Sequence, residues 1–519
     1  MKPINVLTIR LKKKFQLTLE KLKNSYYLQF VLLLTIVGIG IRIYQFASLR
    51  SLWLDEAMLA RNIIDRSMLD LLFQPLDYNQ GAPLLFLFIE KLFTYIFGRN
   101  DIALRLFPFV CGVLIIPLSI HIATKIFGKV AGGVTGILII SNSQLIYYSS
   151  EVKQYSVDAF IILFVICCFI NWFERKLSTK NYWEILIVGI ISSILSHPNL
   201  FIFGGFAIVL WIKTLIEIRK TGRKQDFYKL SGVLFTWGVL YGGLYLLTLN
   251  DLASNNHLIN YWSNGFMPMP PWENLDWFRS LPSEFTRSLL NGQYKTHRVF
   301  LVLTILGAIL LWKKNKNFSF SVIIIGIGML IASAMRLYPL EGRMLIFSIP
   351  LVVLFISGGI QAFYNLLVDY QVIAWTLSAL LCVFVTYGSF SYMNNFVRNP
   401  EMRLKEEVKP LIEILEDERQ ENEALYVYYV TAHAYQYYQT ISGREDYLVF
   451  YGERHRLEPE KYIEEIDQMS DFSTIWILFS HNYGNEKDII QDHFEEIGDM
   501  VETHSAYGAF LSKYQIDNE

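Results

Sequence analysis

The sequence predicts a polytopic α-helical membrane protein with a small polar α/β domain at its C-terminal end. Three observations carry that prediction. Only 18% of the 519 residues are charged while 53% are hydrophobic, against about a quarter charged in soluble globular proteins. Apolar runs long enough to cross a bilayer recur from Tyr27 to Met393. Beyond them, from Arg403 to Glu519, the chain becomes rich in Glu, Asp, Lys and Arg. A soluble metabolic enzyme, a disulfide scaffold and a disordered chain are thereby excluded. The net charge of -1 gives no reason to expect nucleic acid as a partner.

A spanning helix needs about 20 mostly apolar residues. This marks eleven spans, at 27–46, 105–124, 130–147, 157–173, 183–198, 200–216, 230–249, 298–312, 318–336, 343–362 and 371–391. Arg10, Lys12, Lys13, Lys14, Lys21 and Lys23 precede the first run, and no small-residue cleavage site follows it, so it reads as an uncleaved span. The run 83–98 is short and carries Glu90 and Lys91 at its centre, where an ionised pair is costly. If it lies in the interface instead of crossing, Lys125/Lys129, Arg175/Lys176/Lys180, Lys213 to Lys224 and Lys313/Lys314/Lys316 all fall on the side of the basic N-terminus. The positive-inside rule therefore predicts an amphipathic juxtamembrane helix at 83–98, a cytoplasmic N-terminus and a multi-pass protein of the plasma membrane. External loops are then 47–104 and 250–298, and the C-terminal domain is also external. Cys111, Cys167, Cys168 and Cys382 all lie in apolar runs, with no spacing that suggests a metal or redox site.

The chain divides into a membrane domain, 1–399, and a soluble domain, 400–519. The latter opens with a helical pattern over Met402–Gln420, in which Leu404, Val408, Leu411, Ile412 and Leu415 recur. Strand-like runs at Leu425–Val430 and Thr474–Phe479 alternate with helical stretches at Ala432–Ile441, Pro459–Gln468 and Glu486–Glu496, before a last run at Ala509–Tyr514. The alternation predicts a small α/β domain. No phosphate-binding Gly loop or nucleotide fingerprint occurs, so no nucleotide cofactor is expected.

Three polar islands stand on the predicted external face. The first places Asp55 and Glu56 just beyond the first span. Their pKa values can be raised beside a low-dielectric wall into the range of a general base, or Asp55 can simply cap a helix over Glu56–Ile64. The second, Tyr147 to Asp158, gathers Glu151, Lys153, Tyr155 and Asp158. A helix through it would show Glu151, Tyr155 and Asp158 on one face, although an aromatic interface belt is an equally ordinary reading. The third is the turn Arg336 to Arg343, with two arginines on the side where positive charge is disfavoured. Arginine forks match phosphate oxygens, and Glu341 or lipid headgroups are the blander partners. The aromatic loop with Tyr261, Trp262, Trp272 and Trp277 suits either a lid over a membrane-level cleft or a plain interface, and His197 is a candidate proton carrier or metal ligand, or a structural residue.

Taken together, Trp53-Leu54-Asp55-Glu56-Ala57, the Asn79–Leu85 stretch NQGAPLL, Ala103–Pro108, the YYSSEVKQY of Tyr147–Tyr155 and the YPLEGRMLIF of Tyr338–Phe347 resemble the family 39 glycosyltransferases of the GT-C superfamily. These are the protein O-mannosyltransferase and lipid A aminoarabinose transferase class, and the similarity covers roughly residues 53–360. The resemblance implies transfer of a sugar from a polyprenyl-phosphate carrier to an acceptor hydroxyl of a lipid, glycan or protein outside the membrane, with inversion. It implies Asp55 as the catalytic aspartate, Glu56 as the acid that accompanies it, and Glu151, Lys153 and Tyr155 as the family's Glu-x-Arg-x-Tyr signature. Lys153 stands where members usually have Arg, and Gly81-Ala82-Pro83 lacks the His or Lys that many have before the Pro. On chemical grounds Arg336, Arg343 and Lys153 are the cations available to a phosphate leaving group, and Asp55, Glu151 or Asp158 could hold a divalent metal ion. A lipid or glycan transporter without transferase activity is the competing reading. That class should show internal repeats and ionisable groups at the midplane, and neither is evident.

Overall fold

The computed structural model describes residue 20 and residues 23–222, 224–287, 297–443 and 448–517. The basic N-terminal residues Arg10 to Lys21 lie outside this set. Each of the eleven apolar runs is helical. Among the described residues eight helices are long and apolar enough to cross a membrane, or nine if a bent pair is one span. That pair, Lys129–Ser141 and Ser143–Ser150, turns by 61° where the Asn142 side chain caps the second piece. The two remaining runs form Thr179–Leu195 and His297–Lys314, of 17 and 18 residues.

The run 83–98 forms Leu84–Phe97, and its 14 residues are too few to span. Its two charges do not pair with each other. Lys91 Nζ donates to the carbonyl of Ile64 at 3.0 Å. Both carboxyl oxygens of Glu90 are buried without a partner among the described residues, and burial pushes this carboxyl well above its ordinary range.

Basic turns meet at one end of the bundle. Lys125 pairs with Glu174 at 3.0 Å, Lys213 donates to the carbonyl of Phe173 at 2.7 Å and Lys314 to that of Phe127 at 2.6 Å.

The C-terminal domain is a five-stranded sheet in the order β2-β1-β3-β5-β4, with β1 at Ala424–Val427, β2 at Val449–Tyr451, β3 at Thr474–Ser480, β4 at Gly498–Ala506 and β5 at Ala509–Ile516. β1 is parallel to β2 and β3, while β5 runs antiparallel to β3 and β4. The central strands were legible because all their residues are buried and apolar runs result. The flanking strands β2 and β4 were not foreseen, one being three residues long and the other largely exposed and polar.

This domain docks on the first polar island through backbone groups. Ser51 N–H donates to Glu407, Leu52 N–H to the Tyr438 hydroxyl at 2.8 Å, and Leu54 N–H to Glu406 Oε2 at 3.1 Å. Tyr437 donates to Asp101 at 2.8 Å, and the Lys405 ammonium lies 3.3 Å from the centre of the Trp53 ring. The sheet domain therefore sits at the opposite end from the basic turns, and a cavity lies under it.

Candidate active site

The cavity has a volume of about 770 Å³ and is walled by the membrane helices, the 250–266 segment and the C-terminal domain. This is the size of an ordinary ligand pocket. Asp55, Lys153, Tyr155, Asp158, Arg336 and Arg343 line it; Glu56 and Glu151 do not.

Asp55 reaches the cavity from the first turn of the helix Leu54–Asp65. It is not the cap of that helix. Trp53 occupies the cap position without a side-chain bond, and Glu406 of the C-terminal domain accepts the first free N–H instead. The Asp55 carboxylate is held by Gln80 Nε2 at 3.3 Å, by Lys153 Nζ at 3.7 Å and by a close ion pair with Arg343. Burial pushes its carboxyl up, but Lys153 and Arg343 outweigh burial and hold it at about 2. The expected upward shift is thus reversed, because two cations, and not a bare apolar wall, face the acid.

Glu56 points the other way. Arg50 Nη1 meets its Oε2 at 2.7 Å, Arg105 Nη2 meets its Oε1 at 3.1 Å, and Val152 N–H donates to Oε1 at 2.8 Å. All three side chains are fully buried. Burial opposes ionisation, yet the two guanidiniums and the N–H bond bring this carboxyl below its ordinary range. Its oxygens are engaged by Arg50, Arg105 and the Val152 N–H, and it does not line the cavity that Asp55 faces.

The same contact explains why the second island is not one helix. Because Val152 N–H is spent on Glu56, Glu151 is extended (φ -118°, ψ 139°) between a 3₁₀ turn ending at Ser150 and a helix starting at Tyr155. Glu151, Tyr155 and Asp158 consequently do not share a helical face. Glu151 is fully buried and accepts from Trp53 Nε1 at 2.8 Å, and its other oxygen has no partner among the described residues. Burial and the neighbouring Glu56 raise its carboxyl above the ordinary range. Lys153, by contrast, enters the cavity and donates to Gln80 Oε1 at 2.5 Å. Burial lowers its ammonium, with Asp55 opposing.

Arg336 ends the helix Lys316–Ala334. It sits in the left-handed region (φ 56°) that a glycine would usually fill, with its N–H on Ser333 and that of Leu337 on Ala332, both at 2.9 Å. Its side chain lines the cavity and makes no ion pair among the described residues. Arg343 also lies over the Trp262 ring at 5.6 Å. Of the long aromatic loop, Leu252, His257, Tyr261 and Trp262 line the cavity while Trp272 and Trp277 do not. His197 lines it too.

Among the described residues Asp55, Glu151 and Asp158 do not form a three-residue group close enough to share an ion, and Lys153 and Arg343 stand at the Asp55 oxygens. Among the described residues, carboxylates and histidines close enough to share an ion are Glu418/Glu502/His504 and Glu453/His455/Glu465, both in the C-terminal domain.

Two features were missed from the sequence. Gln80 bridges Asp55 and Lys153, and the signal was its place in the NQGAP stretch. The C-terminal domain supplies a whole wall, including Tyr429, His433, Arg454, Arg456, His481 and Tyr483, for which the sequence offered no signal.

Comparison with solved structures places this arrangement. ArnT from Cupriavidus metallidurans in the apo state aligns over 94% of this chain and 98% of its own, with a TM-score of 0.53 and 12% identity. The Archaeoglobus fulgidus oligosaccharyltransferase, crystallised with Zn and sulfate, aligns over 93% of this chain and 72% of its own, with a TM-score of 0.50 and 13% identity. At such identities the likeness is one of fold, and that fold is the GT-C fold of membrane glycosyltransferases. Residues 81–241 in turn match the family model described as dolichyl-phosphate-mannose-protein mannosyltransferase, so the family 39 resemblance holds over that segment. No curated protein sequence matches the chain.

Proposed function

We propose that this protein is an inverting glycosyltransferase that passes a sugar from a polyprenyl-phosphate-linked donor to an acceptor hydroxyl at the external membrane face. One observation carries the reading: an ionised Asp55 on the cavity wall between Lys153 and Arg343, with Arg336, which has no ion pair among the described residues, lining the same cavity. The family match over residues 81–241 supports it. Displacement at an anomeric carbon needs a base for the acceptor proton and cations for the departing phosphate, and both kinds of group line this cavity.

Residues 1–399 form the catalytic membrane domain in this reading and 400–519 an external domain. The N-terminus is cytoplasmic, because the basic turns share the end opposite the sheet domain.

In the ligand-free arrangement Asp55 is a weak base, since Lys153 and Arg343 stabilise its anion. A donor phosphate competes for those two cations and for Arg336. As it draws them away, the partly buried Asp55 loses its compensation and its proton affinity rises. Donor binding thus switches the base on, and the same cations receive the charge of the leaving group. Glu56 and Glu151 shape the wall from behind. Tyr155, 4.9 Å from Tyr148 between ring centres, offers its ring to the donor sugar. The Asp55 chemistry needs no divalent ion in this reading.

The test is transfer of labelled sugar from defined polyprenyl-phosphate donors by purified wild type and Asp55→Asn. Consumption of one donor, lost in the variant with donor binding kept, supports the reading. No consumption across a broad donor panel overturns it, and lipid transport assays then follow.

A further inference from the structure

The cavity has a charge imbalance that one donor does not absorb. Its lining holds Lys153, Arg336, Arg343, Arg454 and Arg456 against Asp55 and Asp158. Lys153 and Arg343 are engaged by Asp55. Arg456 is engaged by Glu486, at 3.3 Å, and is fixed further by the Tyr429 hydroxyl at 2.8 Å and by the Tyr483 ring, 3.5 Å from its guanidinium carbon. Two arginines are left without an ion pair among the described residues, and they come from different walls. Arg336 belongs to the membrane side, where a lipid phosphate arrives. Arg454 belongs to the C-terminal domain, is exposed, and lines the same cavity from the solvent side.

The C-terminal domain adds hydrogen-bonding and stacking groups to the same cavity lining. His433 lines the cavity with its Nδ1 buried and unpartnered among the described residues, and burial holds its imidazole down to about 4. A neutral imidazole with a free ring nitrogen suits a hydroxyl, not an anion. Tyr429 and Tyr483, braced by Arg456, offer aromatic surface in the same lining. One unneutralised guanidinium, one neutral hydrogen-bonding ring and rigid tyrosines together describe a subsite for a sugar that carries a negative charge.

We infer that the C-terminal domain forms the acceptor subsite and that the acceptor is an acidic glycan, its carboxylate or phosphate taken by Arg454 and a hydroxyl by His433. This inference rests on the glycosyl-transfer reading and specifies its acceptor. The Arg336 and Arg454 sites then divide two anions between two walls, so donor and acceptor do not compete for one cation.

The experiment uses the full chain in lipid nanodiscs. Binding of oligogalacturonate, a phosphorylated oligomannoside, neutral maltohexaose and phosphatidylglycerol vesicles is measured for wild type, Arg454→Gln and the control Lys487→Gln, a change outside the cavity. Polyprenyl phosphate binding is measured in parallel. The expected result is that at least one acidic glycan binds wild type and the control, more weakly as salt rises, and binds Arg454→Gln about tenfold less tightly, the scale of one charge-assisted contact. The carboxylate and phosphate arms say which acid is preferred. Equal affinity for maltohexaose, an unaltered Arg454→Gln, binding of the vesicles alone, or binding of no glycan each overturns the inference. Wild type that takes polyprenyl phosphate but no acidic glycan refutes the subsite and leaves the transferase reading intact. Failure to take polyprenyl phosphate speaks against the transferase reading itself.

Discussion

Asp55 and Glu56 are neighbours in the chain and inhabit two different regions. Asp55 faces a cavity of about 770 Å³ and shares its cations with whatever enters. Glu56 is sealed between Arg50 and Arg105, fully buried, with a backbone N–H completing its shell. Both carboxyls are brought low by cations. Only for Asp55 can a ligand undo the arrangement. In the proposed mechanism the pair of acids at the membrane surface is thus not one catalytic unit; access to the counter-charges separates the carboxylate proposed to react from the one proposed to brace the wall.

The contrast is broken most strongly by removing each charge. Asp55→Asn should keep the fold and reduce transfer by about 10²- to 10⁴-fold, the usual contribution of a general base, measured as single-turnover rate. Glu56→Gln should act on folding instead. It leaves two buried guanidiniums without a full counter-charge, and breaking a buried pair costs about 3–5 kcal/mol, read as a loss of folded protein on heating in detergent.

Smaller effects sharpen the comparison. Trp53→Phe removes the donor to Glu151 and leaves a buried carboxyl with no partner, at a cost of about 1–3 kcal/mol, again visible in thermal unfolding. The pH profile should be asymmetric. With Asp55 held at about 2, kcat/KM of the free enzyme should show no acid limb from Asp55 above about pH 4. With Lys153 lowered by burial, activity should fall on the basic side below the ordinary lysine range, and Lys153→Arg, whose charge persists, should move that limb upward. Tyr438→Phe deletes one acceptor of a backbone N–H at the domain seam and should cost about 1 kcal/mol.

The helical bundle was readable because every apolar run became a helix, and the central strands of the sheet were readable for the same reason. What escaped depended on contacts remote in sequence. Asp55 looked like a helix cap or a base with a raised pKa until Glu406, Lys153 and Arg343 were in place around it. Glu151 fell off the expected helical face because Glu56, nearly a hundred residues away, takes the N–H of Val152. Gln80 lay inside the NQGAP stretch but drew attention only as part of a resemblance. The C-terminal wall had no local pattern at all, since its cavity residues come from the segments after three different strands and from the first turn of the helix Ala432–Ser442.

The most direct measurement is donor affinity and transfer rate together for wild type and Asp55→Asn, with a donor the wild type consumes. Competition between the Asp55 carboxylate and the donor phosphate predicts that the variant binds donor at least as tightly while transfer falls by about 10²-fold or more. A variant that binds donor more weakly, or transfers at the wild-type rate, contradicts the assignment of Asp55 as a base released by the donor.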